Sequence, residues 1–309
     1  MTLVSIITPS FNQSAFLRQA MLSVLQQDYD DREYIVVDGG STDGSVEIIK
    51  EYADRLAWWV SEQDSGQAEA INKGLAHAHG EIVAWLNSDD FYLPGAIAAA
   101  AGALAAHPST VLVYANMQAV DEAGRMTNLL TYRQWTLEDL LCFNIIGQPA
   151  VFMRREAVLA VGGVDQALHA LLDHQLWIKL ALHGEILHVD ATWAAARYHP
   201  GAKNRARAPE FGREAFQVLQ WESQYSGLWP VFRRVERRAR ASAHRLNARY
   251  LVDGGQPWAA LKAWGRAFGI HPPTALARLN LLTSAVLGLL GLGRVRQAIL
   301  RRRQKRLAA

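Results

Sequence analysis

Ile82-Val83-Ala84-Trp85-Leu86 runs directly into Asn87-Ser88-Asp89-Asp90. Five apolar residues closed by a polar cluster have the length and composition of a strand buried on both faces. Two adjacent carboxylates at the carboxyl end of such a strand are costly unless something cationic meets them. In an open α/β sheet that end is also where ligands bind. Mg²⁺ or Mn²⁺ suits the position, because such ions keep several waters and take one or two carboxylates together with ligand phosphates. The stretch therefore predicts an α/β fold with Asp89 and Asp90 as metal ligands beside a phosphorylated molecule.

Outward from it, strands and helices alternate. Leu3–Thr8 reads as a strand, followed by the turn Pro9-Ser10-Phe11-Asn12 and a helix that Ser14 can cap. Glu33–Asp38 is a second strand, Ser45–Tyr52 a helix, Leu56–Val60 a short strand and Gln67–His79 a helix. Pro94 opens an alanine-rich helix ending near His107-Pro108. Strands separated by helices predict a parallel sheet with right-handed crossovers. Further on, Val111–Ala115, Ala150–Arg154, Ile186–Val189 and Thr192–Tyr198 read as strands, and Thr136–Cys142 and Leu171–His183 as helices. From Pro209 the pattern is helical throughout (about 210–225, 231–251, 257–268 and 273–287), which predicts a body of residues 1–225 and an all-helical extension of residues 226–309.

Half of the 309 residues are apolar, enough for a substantial core. Cys142 is the one cysteine, so no internal disulfide can form and a reducing, cytoplasmic setting is expected. The first residues read as a strand rather than a signal peptide, and no uninterrupted apolar run reaches membrane-spanning length. The net charge of +3 hides an asymmetry: residues 1–230 hold 15 basic and 27 acidic groups, and residues 231–309 hold 17 basic and 2 acidic. The acidic body would repel a polyanion, so a diphosphate there needs a metal or a local cation. The tail, apolar over Leu279–Leu292 and basic over Arg294–Arg306, suits an anionic membrane surface through 279–306, and the protein is expected to be peripheral at the inner face. It lacks the interleaved aromatics of single-strand binding, so nucleic acid is not an expected partner.

Three other places carry chemistry. Asp38 ends the second strand ahead of Gly39-Gly40, where a carboxylate can accept hydrogen bonds from a base or ribose. Asp173 lies in the first turn of a helix, where it serves either the helix dipole or a general base. Arg197, His199, Lys203 and Arg205 form the one clearly cationic cluster of the body, able to meet phosphates or, through His199, to complete a metal shell.

Taken together, four segments in order resemble glycosyltransferase family 2, the inverting enzymes of the GT-A fold, over about residues 3–205. They are Ser5–Asn12, Val37–Ser45, Asp64–Gly74 and Trp85–Asp90. The resemblance implies a Rossmann-like, mostly parallel sheet flanked by helices. It implies that Pro9, Phe11, Asn12 and Asp38 line a nucleotide pocket with Asp38 facing the base, and that Asp64 and Gln67 border the nucleotide or its sugar. Ser88-Asp89-Asp90 becomes the family's D-x-D-type element, with Asp90 on the metal and Asp89 near the ribose. Gln148 falls in an acceptor-side segment, and Asp173 becomes the base that deprotonates an acceptor hydroxyl. The chain departs from the family's pattern in Asp173-His174-Gln175-Leu176-Trp177, where the second acidic position is lost and the first is kept, and at Ala202 and Asn204, where hydroxyl residues are usual. The implied function is transfer from a nucleoside-diphosphate sugar, most commonly a UDP sugar, to a saccharide or lipid-linked saccharide in cell-surface polysaccharide or glycolipid assembly. The alternative is a non-catalytic nucleotide- or carbohydrate-binding protein on the same fold.

Overall fold

A computed structural model describes residues 2–199, 201–203 and 207–292. Two compact units emerge, Met1–Gln134 with Ile146–Tyr198, and Trp135–Ile145 with the chain from His199 onward. The division thus falls at Tyr198, not near residue 225, and the short helix expected at Thr136–Cys142 goes with the helical unit.

The first unit is a nine-stranded sheet with helices around it. In chain order its strands are β1 (Val4–Ser10), β2 (Arg32–Asp38), β3 (Trp58–Ser61), β4 (Ile82–Trp85), β5 (Phe91–Tyr92), β6 (Thr110–Val120), β7 (Met126–Leu130), β8 (Val151–Arg154) and β9 (Glu185–Arg197). Its helices are α1 (Ser14–Leu25), α2 (Ser45–Glu51), α3 (Gln67–Ala76), α4 (Ala96–Ala106), α6 (Arg155–Ala160) and α7 (Leu172–His183), with α5 (Leu137–Leu141) belonging to the second unit.

The strand order is β3-β2-β1-β4-β8-β6-β9-β5, with β7 on β6. The first four strands are parallel, as their helical connections require. β1 lies between β2 and β4 and is buried along its whole length, Ser5, Thr8 and Ser10 included. Beyond β4 the sheet turns mixed: β8 runs antiparallel to β4 and to β6, β7 and β5 are antiparallel additions, and only β6 and β9 are parallel. The parallel character expected from the sequence is therefore confined to the first half and to that one pair.

Because the chain moves outward from β1 to β3 and returns on β1's other side as β4, the sheet has its topological switch point between β1 and β4. The Leu86 N–H, donating to the Ile7 carbonyl at 2.9 Å, fixes the register there. Helix α3 lies so close to β1 that a Cβ at Gly74 would stand 2.4 Å from Ile7 Cγ2. One main core packs Ile6, Leu17, Met21 and Val36 with Tyr92 and Phe152.

Two local expectations change. Ser14 is not the cap of α1: Gln13 occupies that place, and the Ser14 N–H donates to the Asp43 carboxylate at 2.9 Å. The two strands expected at 186–198 are one, because Asp190-Ala191 bulges out of register beside Asn116 and the Asn116 amide donates to Asp190 Oδ1 at 3.0 Å.

The second unit is helical: α5, α8 (Ala208–Gln224), α9 (Trp229–Asp253), α10 (Pro257–Ile270), α11 (Pro272–Leu276) and α12 (Leu279–Leu289). The helix expected over 273–287 is thus two, broken at Ala277-Arg278. α9 is its spine, with Phe232, Val235, Ala239, Ala243, Leu246 and Tyr250 buried at helical spacing. Thr136 and Asp139 form a capping box on α5, and the Arg238 guanidinium donates to Cys142 Sγ at 2.8 Å. Among the described residues no helix is long and apolar enough to cross a membrane. Arg205 and the basic run Arg294–Arg306 lie outside the described residues.

Candidate active site

Four loops meet at the carboxyl ends of the parallel strands. The loop after β1 leaves Phe11 61% exposed, an aromatic ring at the mouth, while Pro9 is buried at the strand's end. Asn12 adopts φ +51°, a left-handed conformation that Asn tolerates. From there it clasps the loop after β2: its N–H donates to Ser41 Oγ at 2.8 Å, and its Oδ1 accepts from the Thr42 N–H at 2.9 Å. Asp43 serves both following helices, accepting from the Ser14 N–H and, at 3.1 Å, from the Ser45 N–H. Burial pushes its carboxyl up, but these donors and the Ser45 hydroxyl outweigh that and hold it below the ordinary carboxylate range.

Asp38 is fully buried, and its carboxylate accepts from the Gly40 N–H, the Ser41 N–H and hydroxyl, and the Ser61 hydroxyl at 2.6–3.1 Å. These contacts tie the loop to β3. The half-buried Asp64 sits against this loop: a Cβ at Gly39 would come 3.0 Å from Asp64 Oδ2, so a larger residue there would crowd the carboxylate. Burial raises the Asp64 carboxyl above its usual range, although the Gly66 N–H donates to it at 2.9 Å.

At the end of β4 one amide organises the floor. Asn87 Oδ1 accepts from Gln67 Nε2 at 2.6 Å, and Asn87 Nδ2 donates to Asp90 Oδ2 at 3.2 Å and Gln148 Oε1 at 3.1 Å. Gln148 Nε2 in turn donates to the Trp85 carbonyl at 2.7 Å. Gln148, expected on the acceptor side, is thus a buried strut with both ends of its amide engaged. Asn87 has no expected role from its sequence, although its place between an apolar strand and two acids marks it.

Asp89 and Asp90 differ sharply. Asp90 is 6% exposed, with Oδ1 accepting the Arg197 backbone N–H at 2.9 Å and Oδ2 held by Asn87. Burial, reinforced by the charge of Asp89, pushes the Asp90 carboxyl well above the usual range. Asp89 is half-exposed. Arg197 does not reach for phosphates: it is 4% exposed, and its guanidinium donates to the carbonyls of Asp89 (3.0 Å), Asp121 (3.3 Å) and Glu122 (2.7 Å) and to the Gln19 side chain. It lies 4.8 Å from the Phe16 ring centroid and 5.5 Å from that of Phe91. β9 brings it there, because β9 pairs Ala195 with Phe91, the residue after Asp90.

Asp173 is half-buried in the first turn of α7, and its Oδ1 accepts the His174 N–H at 2.7 Å. One turn later Trp177, fully buried, stacks on Trp85 with centroids 5.3 Å apart, which anchors α7 to the end of β4. His199, buried, and Lys203, half-buried, belong to the second unit.

No three His, Cys, Asp or Glu side chains among the described residues are grouped to hold a metal, and of the expected ligands Asp89 and Asp90 belong to the first unit and His199 to the second. Two adjacent acids, one desolvated and destabilised by its neighbour's charge, nevertheless fit a hard cation that brings its own waters and a ligand's phosphates.

Comparison with known proteins gives a consistent result. The model of the family described as Glycosyl transferase family 2 matches residues 5–157. An uncharacterized glycosyltransferase of Mycobacterium tuberculosis, Rv1514c, is 32% identical over 183 residues, covering 58% of this chain and 69% of that protein. The O-antigen biosynthesis protein RfbC of Myxococcus xanthus is 30% identical over 184 residues, covering 58% of this chain; the match spans only 14% of RfbC. Among solved structures, the mannosyltransferase PcManGT of Pyrobaculum calidifontis in complex with GDP-Man and Mn2+ superposes with a TM-score of 0.65 at 20% identity, covering 94% of this chain and 87% of that one. At that identity the likeness is one of fold.

Proposed function

The chain belongs to glycosyltransferase family 2, and from that premise we propose that it moves a sugar from a nucleoside-diphosphate sugar to an acceptor hydroxyl with inversion at the anomeric carbon. The carrying observation is the division of labour between the two acids at the switch point. Asp90 is buried and spent on the Arg197 N–H and Asn87, while the half-exposed Asp89 stands beside it. Asp89, rather than Asp90, is then the carboxylate for Mg²⁺ or Mn²⁺, with Asp90 the post that fixes it. A bound divalent ion would supply Lewis-acid neutralisation of the departing diphosphate.

The remaining roles fall to this chain's own side chains. The Phe11 ring offers a stacking face to a nucleobase. Asp38 and Asn12 hold the loop that receives the ribose in a single conformation. Asp64 and Gln67 border the sugar, and Asp173 takes the proton of the attacking hydroxyl, a step worth typically about 10²–10⁴-fold. A uridine or guanosine diphosphate sugar is the donor class, the second supported by the GDP-Man in the superposable mannosyltransferase. A saccharide or lipid-linked saccharide of surface-polysaccharide assembly is the acceptor class, in keeping with the name of the RfbC relative.

A thermal-shift screen of nucleoside diphosphates and sugar nucleotides, with and without Mn²⁺, tests the proposal. One nucleotide should stabilise the protein in a metal-dependent way, by about 2.7 kcal/mol at a hundredfold excess over Kd. Asp89→Asn should abolish the metal-dependent part. The transferase reading fails if no sugar nucleotide stabilises the protein. The assignment of Asp89 fails if metal dependence survives Asp89→Asn. Metal-dependent binding with no hydrolysis or transfer of any donor would mark a binding protein instead.

A further inference from the structure

The chain between α6 and α7 meets α3 at two places. At the first, the Asn72 side-chain amide pairs with both polar groups of one residue: Nδ2 donates to the Val164 carbonyl at 2.8 Å, and Oδ1 accepts from the Val164 N–H at 3.0 Å. Asn can do this because one planar group carries a donor and an acceptor side by side. A carboxylate could only accept, and a hydroxyl carries both functions on one atom. The backbone is shaped to receive the amide. Gly162 and Gly163 are both left-handed, with φ +80° and +67°, and a Cβ at Gly163 would stand 2.6 Å from Asn72 Oδ1. Val164, Leu168, Ala170, Leu171 and Leu172 are buried. At the second place, a Cβ on Gly66, the N-cap of α3, would lie 4.0 Å from His169 Nδ1. The Gly66 N–H is bonded to Asp64, and Asp173 follows His169 by four residues.

We propose that Asn72 is a positioning residue for the transfer reaction: its two hydrogen bonds to Val164 hold residues 163–171 along α3 and so fix Asp173 relative to Asp64 and Gln67 at the start of that helix. The inference rests on the reading of Asp173 as the base and of Asp64 and Gln67 as donor-side residues. Each helix has its own anchor to the sheet, α3 through Gly74 on Ile7 and α7 through Trp177 on Trp85. The amide tie joins the two helices directly, across 92 residues of sequence. In the transfer step the acceptor oxygen bonds to the anomeric carbon, the bond to the diphosphate breaks with its electron pair, and the hydroxyl proton passes to Asp173. That proton transfer needs the carboxylate about 3 Å from the hydroxyl, and a misplacement of about 1 Å can cost about a hundredfold. The tie therefore acts on the rate of transfer and leaves the affinity for the donor alone.

With water as the acceptor, no saccharide need be identified for the test. Release of nucleoside diphosphate from a panel of UDP-, GDP- and dTDP-sugars with Mn²⁺ is measured for the unaltered full chain, Asn72→Ala, Asp173→Asn and the double variant. Asn72→Ala should lower kcat by about 10–100-fold and leave KM for the sugar nucleotide within about twofold. In the Asp173→Asn background the same substitution should change kcat by less than about twofold, because a residue that acts through Asp173 then has nothing to position. Hydrogen exchange gives a readout that needs no donor: the amides of residues 164–172 should exchange at least about tenfold faster in Asn72→Ala, while those of β1 and β4 keep their protection. Asn72→Asp, which keeps only the acceptor for the Val164 N–H, should fall between, and it serves if the alanine variant does not fold. Equal losses in both backgrounds would make Asn72 merely structural and overturn the proposal, as would unchanged exchange of residues 164–172. Slow turnover by Asp173→Asn beside normal turnover by Asn72→Ala would defeat the tie alone. Normal turnover by Asp173→Asn would defeat the base assignment, and the role given to Asn72 with it. Hydrolysis of no sugar nucleotide by the unaltered protein would overturn the transferase reading and this proposal together.

Discussion

Arg197→Ala separates two accounts of the same arginine. Read from sequence, Arg197 belongs to a cationic cluster that meets phosphates, and its loss should weaken nucleotide binding while leaving the fold alone. In the structure it is an internal rivet, donating to three backbone carbonyls and Gln19 and lying over Phe16 and Phe91. Hydrogen bonds from a charged donor contribute about 1.5–3 kcal/mol each, and a buried acceptor left unmade costs about 1–3 kcal/mol. Water entering the space left by the side chain would recover part of this, so the net loss is set at about 4 kcal/mol, within the range for breaking a buried polar network. For a unit of this size that corresponds to a fall in Tm of roughly 8–16 °C. The assay is urea unfolding with the slope checked for constancy, so that a shifted midpoint reports stability. Arg197→Lys, which keeps the charge but not the planar fork, should recover only a minor part. A loss below about 1 kcal/mol, together with weakened nucleotide binding, would refute the rivet and restore the phosphate contact.

Three further outcomes follow from the geometry. Asp173→Asn should retain nucleotide binding and lose transfer by about 10²–10⁴-fold; calorimetry beside a turnover assay checks both, and normal turnover would remove Asp173 from the reaction. Glu222, fully buried with neither carboxylate oxygen hydrogen-bonded among the described residues, has its carboxyl pushed well above the usual range by burial. The folded state therefore holds that proton more tightly, and stability is lost as pH rises from the unfolded carboxylate range towards the raised value. Glu222→Gln should remove that slope, melting higher than the unaltered protein at neutral pH and converging with it in acid; parallel curves would refute the assignment. Gly74→Ala should cost about 1–3 kcal/mol in the urea midpoint, because the new methyl lands on Ile7 and α3 must lift from β1.

Local signals carried the first half of the fold. The runs expected at 3–8, 33–38 and 82–86 fall on β1, β2 and β4, strands with buried interiors, and the helices between them force them parallel. The antiparallel half was not legible, since β8 reaches β4 and β6 through pairings between distant parts of the chain that no periodicity records. Asp190, a charged residue in the middle of β9, split one strand into two on paper; Asn116 takes up its carboxylate and lets the strand continue. The same limit applies at the site. Acids at strand ends could be read as candidates, but not their division of work, because Asp90 is buried by a backbone N–H 107 residues away. Asp38, too, is fixed by Ser61 on the next strand, a contact that only the register creates.

The amide at position 87 has one more consequence. Its oxygen faces an amino group and its nitrogen faces two oxygens, so Gln67 must give a hydrogen and Gln148 must receive one. The Trp85 carbonyl, which can only accept, fixes the direction of the whole row through Gln148 and Asn87. An aspartate there could not give Asp90 or Gln148 a hydrogen, and it would bring a third negative group within four residues. Neutrality at this place keeps a third carboxylate away from Asp89 and Asp90, where burial and then the charge of Asp89 already raise the Asp90 carboxyl.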